Sequence, residues 1–416
     1  MEAGCKPASR WRLGLEWEKE LVDPEGRRLP FFGPGGIRDL LLTLSRDCGW
    51  TAEYEGDNPV ALSRDGEAIT LEPGGQFEYS CPPKATVAEA RDALEAHWAE
   101  LRAHLQPGQR ALQTAYPPLQ DVQEIGFVPK GRYGIMGPYL AERGALAHGM
   151  MKGTTSLQVT ADFDSEADCG QKLDVALGLA PVAMALTANS PLVSGRPAGV
   201  MSHRGRCWQA TDPARTGLLA GLTGRTFSFA AYVDWILDVP MMFYWRDGRY
   251  RPGLGRSFGA WMREGIDGGY PDESAWETHL TSVFPEARVK HFVEVRSMEN
   301  GPLEGLVAAV ALWKGLFYDA DALAQSHALA ADIDPDQRQR LQDAAITSGL
   351  ADRDLCALSA RVLSIAGEGL ERQGESASAL DALRTRVEAG RSPGQDVLDA
   401  FDAHGPGAAF LDSISY

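Results

Sequence analysis

The chain has 416 residues, 44% hydrophobic and 23% charged, an ordinary globular mix with ample material for a buried core. With 57 acidic residues against 40 Lys and Arg, the formal net charge is −17. That balance argues against a nucleic-acid or anionic-membrane surface, which needs clustered positive charge, but it leaves anionic small substrates open, because local arginines or bound metals can invert a pocket's field.

The N-terminal segment MEAGCKPASRW lacks the apolar run of a secretory signal. In chain order, GLEWEKE (14–20) reads as a strand with Glu16, Glu18 and Glu20 on one face, opposite Leu15, Trp17 and Lys19. The cluster GPGG (33–36) lacks the remaining glycine of a dinucleotide loop and reads as plain loop. LEPGGQFEYS (71–80) reads as one strand bent at Pro-Gly-Gly, with Glu72, Gln76, Glu78 and Ser80 on a common face. At ~3.3 Å per residue, Glu72 and Glu78 would stand ~20 Å apart along such a strand, so each is expected to pair with acids from other strands.

Residues 86–105 have a helical stripe behind a Thr86/Glu89 capping box. SLQVTADF (156–163) is a strand with Ser156, Gln158, Thr160 and Asp162 opposite Leu157, Val159, Ala161 and Phe163. A second helix starts near Asp164 with Ser165 as N-cap. HFVEVRS (291–297) sets Glu294 and Arg296 opposite Val293 and Val295. LEGLVAAVALWKGLFYDADALAQ, from Leu303, reads as a third, buried helix; Lys314 interrupts its apolar run, which is too short to span a membrane. From Asp334, an N-cap followed by Pro335, the chain is helical to near its end, with a breaker at Arg391-Ser-Pro-Gly. Strands dispersed among helices favour an α+β fold. The six cysteines are scattered without a C-x-x-C pair, so no zinc framework or disulfide follows from their spacing. The expectation is a soluble, cytoplasmic protein with no nucleic-acid or membrane partner.

Four strands thus pair an apolar face with a face of acids, amides and one arginine. A solvated sheet face explains any one of them. Together the carboxylates dominate, and if they converge, divalent cations must offset their repulsion. Oxygen-only ligands suit Mg²⁺ or Mn²⁺, several ions each bridged between strands.

These motifs carry a resemblance. G-x-E-x-E-K at 14–19, LEPGGQFE at 71–78, PKGRY at 129–133, SEAD at 165–168, ANSP at 188–191, S-x-R…W…TD…RTG over 202–217, YVDWILDVPMMF at 232–243 and HLTSVFPEARVKHFVEVRS at 279–297 occur in one collinear order. The chain resembles the plant-type and proteobacterial glutamate–cysteine ligases, a branch of the glutamine synthetase-like carboxylate–amine ligases. The resemblance spans the whole chain. It implies a single catalytic domain, 1–416, with a mainly helical part from about 303. It also implies an α+β fold with a curved antiparallel sheet, whose concave face takes ATP, an amino acid and two or three Mg²⁺ ions. The implied activity is γ-glutamyl ligation through an acyl phosphate, with glutamate, cysteine and ATP as small-molecule partners. Glu16, Glu18, Glu72, Glu78, Glu294 and Gln158 are the implied metal ligands. Arg296, beside Glu294, is the implied stabiliser of the transferring phosphoryl group. Arg132, Arg204, Trp208, Lys130 and Thr160 match substrate-binding positions, where a planar guanidinium suits bidentate carboxylate recognition. Arg215 and Asp212 read as loop organisers, and His203 and His279 as structural.

The match departs at Trp17, where His is common, at Gly134 for Lys, at Lys152, in a segment that lacks an expected arginine, and at Thr160 for Asn. Read as changes beside the pocket, these put the cysteine acceptor in question. A ligase joining glutamate or a similar acid to another amine, and a catalytically silent binding homologue, stand as alternatives.

Overall fold

In the computed structural model, which describes residues 1–218 and 227–416, nine strands form one antiparallel sheet. They are β1 (Leu13–Val22), β2 (Thr51–Glu55), β3 (Asn58–Arg64), β4 (Glu67–Leu71), β5 (Phe77–Lys84), β6 (Arg110–Leu112), β7 (Ser156–Ala161), β14 (Ala287–Val289) and β15 (Val293–Glu299). Short two-residue or hairpin ribbons supply β8 (Leu192–Val193) with β9 (Arg196–Pro197), β10 (Thr216–Gly217) with β13 (Phe284–Pro285), and β11 (Phe243–Arg246) with β12 (Arg249–Pro252). The sheet order is β14-β15-β7-β1-β5-β4-β3-β2, and β6 pairs with the far end of β1. The α+β expectation holds. Among the described residues no single helix is long and apolar enough to cross a membrane.

Alternation decides which side each residue serves. Leu15, Trp17, Phe77, Tyr79, Leu157, Val159, Val293 and Val295 are buried on the back face. Against them pack α2 (Val87–His104), which follows α1 (Ile37–Asp47), and the helix Leu303–Phe317. The Thr86/Glu89 capping box starts α2 as expected, and its His97 stacks on Tyr79 with ring centroids 3.9 Å apart. The sequence LEGLVAAVALWKGLFYDADALAQ forms two helices rather than one. Its first ends at Phe317, and the Asp319 carboxylate caps a second at Ala320–Ala331 by accepting the Ala322 N–H at 2.8 Å.

LEPGGQFEYS is a hairpin, not a bent strand. Leu71 pairs with Phe77 and Thr70 with Glu78, and the Glu72 N–H donates to the Gln76 carbonyl at 3.0 Å. Gly75, at φ +83°, makes the corner, which a side chain would strain. A Cβ on Gly74 would meet the Lys152 carbonyl oxygen at 2.4 Å, so the corner lies against the end of α4 (Ala147–Gly153), the helix after α3 (Tyr133–Ala141). Gln76 fixes it there: its Oε1 accepts the Gly74 N–H at 2.9 Å, and its Nε2 donates to the carbonyls of Met151 and Thr154. Reversal of the chain, rather than a bend, therefore brings Glu72 and Glu78 to the same end of the sheet.

Beyond β7 the chain forms α5 (Glu166–Gly178), capped by Ser165 as expected, α6 (Ala180–Thr187) and α7 (His203–Gln209). β15 is interrupted by a bulge between Val295 and Met298. Past it, the fully buried Glu299 carboxylate accepts from the Asn189 N–H at 2.7 Å, from Ser190 Oγ at 2.8 Å and from Ser202 Oγ. Ser202 caps α7 and Ser190 Oγ accepts the Arg204 N–H at 3.0 Å, so the end of β15 anchors the start of α7.

Candidate active site

The polar face of the sheet opens into a cavity of ≈ 310 Å³. Its floor is ordered by charge. β14, β15 and the turn between them supply Arg288, Lys290 and Arg296, β7 supplies Ser156 and Gln158, and β1 with the β4–β5 hairpin supplies Glu16, Glu18, Glu72 and Glu78. Cations thus face acids across a neutral strand. Lys130, Arg132, Met150 and Met151 form one wall, and Arg204 and Trp208 another.

On the acidic side, Glu18 and Glu78 are direct cross-strand partners, an arrangement that repels unless something neutralises it. Glu18 accepts from Ser156 Oγ at 2.9 Å and Gln158 Nε2 at 3.2 Å, and Glu78 accepts from Thr70 Oγ1. None of the four acids forms an ion pair with a described residue. Burial and the neighbouring Glu72 push the Glu18 carboxyl up to about 7. Burial, then Glu16, Glu72 and Glu18, hold Glu78 well above the usual carboxylate range, and Glu16 is raised by burial and by Glu294. Among the described residues no three acids, His or Cys close into a ready-made metal site. The donor set nonetheless fits hard divalent cations: oxygen-only, net anionic, and without an ion pair to a described residue.

Glu294 has a different place. It is fully buried, does not line the cavity, and is gripped by Arg288 through Nη2 at 2.8 and 3.0 Å and Nε at 3.1 Å. Arg296 and Lys290 also pair with it. Burial alone would raise its carboxyl, but the three cations outweigh that and hold it below the usual range. With its oxygens so engaged, the expected metal-ligand role gives way to that of a charge anchor for the basic side. Arg296 also donates to Gln158 Oε1, which leaves Gln158 bridging acid and cation rather than free to ligate.

On the wall, Arg204 and Trp208 lie four apart on α7 and so project together. The Trp208 ring has two guanidinium groups near it, Arg204 at 5.7 Å and Arg296 at 5.9 Å from its centroid. Arg204 Nη2 donates to the Arg296 carbonyl at 2.8 Å, while its Nε, the Arg132 Nε and the Trp208 Nε1 are buried donors without a partner among the described residues. Buried donors are rarely left so, and three in one cavity mark the seat of an acceptor-rich ligand. Lys130 lines the cavity but spends its ammonium on the Leu71 carbonyl at 2.9 Å.

Residues 12–411 match the family described as Glutamate-cysteine ligase family 2 (GCS2). The chain belongs to this family. It is 36% identical to the chloroplastic glutamate–cysteine ligase of Brassica juncea, over 97% of this chain and 80% of that one. With the chloroplastic enzyme of Nicotiana tabacum it shares 36% identity, over 100% and 80%. Among solved structures, the fold is similar to that of a glutamate–cysteine ligase from Francisella tularensis in complex with AMP (TM-score 0.56, 13% identity, 97% of this chain and 87% of that one). It is also similar to that of a bifunctional glutathione synthetase from Pasteurella multocida (TM-score 0.57, 13% identity, 98% and 52%). Membership makes the protein a ligase. The cytoplasmic expectation is corrected by the same comparisons, since the plant relatives are named chloroplastic enzymes.

Within this ligase none of the four departures from the family pattern lines the cavity. Trp17 is buried on the back face, its Nε1 donating to Asn300 at 3.0 Å. Thr160 turns its hydroxyl to the Gly14 N–H at 3.1 Å, so the expected substrate role is not available to it. Lys152 points away, to the Ile125 carbonyl at 3.0 Å, and Gly134 is exposed on α3. Arg215 is fully buried on Asp212 at 2.7 Å, the organising role expected of it. His279 is buried against the Ile236 carbonyl at 2.9 Å, and buried His203 packs edge-on against the Tyr116 ring. Sequence reasoning missed Arg288 and Lys290 as site residues. The alternation Ala-Arg-Val-Lys at 287–290 carried the signal, because it puts both cations on one strand face.

Proposed function

We propose that this ligase joins the γ-carboxylate of glutamate to the amine of cysteine, with ATP converted to ADP and phosphate through a γ-glutamyl phosphate. The carrying observation is the polarity of the cavity: four carboxylates without ion pairs face Arg288, Lys290 and Arg296 across β7. Phosphoryl transfer asks mainly for positioning and for neutralised charge, which such a floor supplies. Glu16, Glu18, Glu72 and Glu78 would hold Mg²⁺, with Gln158 linking Glu18 to Arg296 beside them; bound there, the ions supply charge neutralisation to the nucleotide phosphates. Arg296, oriented by Glu294, meets the transferring phosphoryl group. Arg204 and Arg132, with unpartnered N–H groups, receive the carboxylates of the amino acid, and Trp208 closes over it. Lys130 adds positive charge beside the acids. Residues 1–416 act as one catalytic domain, whose helices from about 303 brace the back of the sheet.

The four departures lie off the cavity wall and give no ground for another acceptor. The test is ADP release with glutamate and a panel of amines, with mass spectrometry of the products. The expected product is γ-glutamylcysteine. Turnover with a non-thiol amine but not with cysteine would overturn the acceptor assignment, and no turnover with any amine would overturn the ligase mechanism.

A further inference from the structure

Behind Trp208 and Phe284 lies a second, smaller void of ≈ 10 Å³, lined by those two rings, Pro285, Glu286 and Arg296. Trp208, Phe284 and Arg296 also line the main cavity, so the two spaces adjoin. About one probe sphere of volume, roughly 10–15 Å³, is what a single buried water occupies, provided that it has 2–4 polar partners. The residues that line it carry three such groups: the Glu286 carboxylate, the Arg296 guanidinium, and the buried Trp208 Nε1–H, which has no partner among the described residues.

Glu286 itself is only 8% exposed and forms no ion pair with a described residue. Its one side-chain hydrogen bond among the described residues is from the Gln342 amide at 3.5 Å, the far edge of hydrogen bonding. Its backbone is well fixed, since the Glu286 carbonyl accepts the Arg296 N–H at 3.0 Å and its own N–H donates to Gly217. A buried carboxylate with no ion pair among the described residues is costly and calls for an explanation. The anchor of Glu294 and the acids of the floor leave this one unused.

We propose that Glu286 accepts, through one water held in this void, the proton that the acceptor amine must lose before it attacks the acyl phosphate. The inference rests on the ligase mechanism above. An amine enters as R–NH₃⁺, which has no lone pair to donate. One proton passes to the water as the water passes one to Glu286, giving R–NH₂ and a carboxylic acid. The nitrogen lone pair then forms the C–N bond while the C–O bond to phosphate breaks, and the second amine proton leaves with the phosphate. The charged groups facing Glu286 are Arg204 of α7 and Arg296 of β15, and from the helix Pro335–Thr347 it meets the neutral Gln342. Burial raises the Glu286 carboxyl, which favours its holding a proton, and the two arginines oppose that rise.

The test compares two nucleophiles. Hydroxylamine is largely unprotonated at pH 7 and attacks acyl phosphates without a base, giving a hydroxamate. Glu286→Gln is expected to lose about 10²-fold or more in product formed with cysteine at pH 7, the usual contribution of a proton acceptor. Its hydroxamate formation should stay within about 3-fold of the unmodified enzyme, and its deficit with cysteine should shrink as pH rises towards that of the free amine. Glu286→Asp, which keeps the carboxylate, should recover part of the rate. Equal losses with both nucleophiles, or no loss with cysteine, would overturn the proposal. If the unmodified enzyme gives neither hydroxamate nor ADP, the ligase mechanism fails instead, so the two failures are separable.

Discussion

Glu294 and Glu78 stand on one sheet face, yet substituting them should move stability in opposite directions. Glu294→Gln removes the charge that Arg288 grips through three contacts of 2.8–3.1 Å and that Lys290 meets at 3.3 Å. Breaking a fully buried pair by removing one partner costs about 3–5 kcal/mol. At ~2.1 cal/mol/K per residue, a chain of this length loses roughly 1 °C per kcal/mol, so Tm should fall by about 3–6 °C. Glu294 is depressed in the folded state, so its stabilisation is complete above the unfolded carboxylate value of about 4.3 and is lost as pH falls from there towards the folded value. The deficit of Glu294→Gln should therefore be constant from pH 8 to 6 and narrow below about pH 4. Glu78 is the reverse case: its raised carboxyl makes the ionised form a burden on the fold, most of all at high pH. Glu78→Gln should raise the Tm of the metal-free protein at pH 8 while abolishing Mg²⁺-dependent ADP formation. Differential scanning calorimetry in chelator, at pH 8, 6 and 4, decides the matter. A stabilised Glu294→Gln, or a destabilised Glu78→Gln, would refute the division of the floor into anchor and ligands.

Arg204→Met should raise the KM for glutamate by about 10–100-fold, the loss of a charge-assisted hydrogen bond of ~1.5–3 kcal/mol, with the KM for ATP held within about 2-fold; steady-state kinetics in both substrates checks the split. Restoring the family residues with Trp17→His, Gly134→Lys and Thr160→Asn should leave the order of preferred amines unchanged, because these positions lie off the cavity wall. A changed order by product mass spectrometry would show that they act on the pocket from a distance. Gly74→Ala should cost about 1–3 kcal/mol through overpacking against the Lys152 carbonyl and lower ADP formation by displacing Glu72, readable by urea denaturation alongside activity.

Local chemistry was legible wherever neighbours in sequence decide it. The Thr86/Glu89 box, the Ser165 and Asp334 caps and the alternating strand faces depend on residues two or three apart, and they stand as read. LEPGGQFEYS was misread because a hairpin and a bent strand put the same acids on the same face, and only pairing of β4 with β5 distinguishes them. The role of Glu294 was hidden for a similar reason: Arg288 is its cross-strand partner, and register is not written in either segment alone. The four departures misled differently. Alternation already put Trp17 opposite Glu16 and Glu18, yet nearness in sequence suggested nearness to the pocket.

The bulge in β15 gives that strand two jobs at once. Before and within it, Glu294 and Arg296 set the charge of the basic side of the floor; after it, Glu299 holds the serines that start α7 and so aims Arg204 and Trp208. One added or deleted residue at Ser297 would leave each half intact and put them out of phase by a full side-chain alternation. The ligase would then retain a charged floor and an Arg204–Trp208 wall that no longer point at each other. Chain length at this one position, more than the identity of any residue there, works as the gauge that keeps floor and wall in alignment.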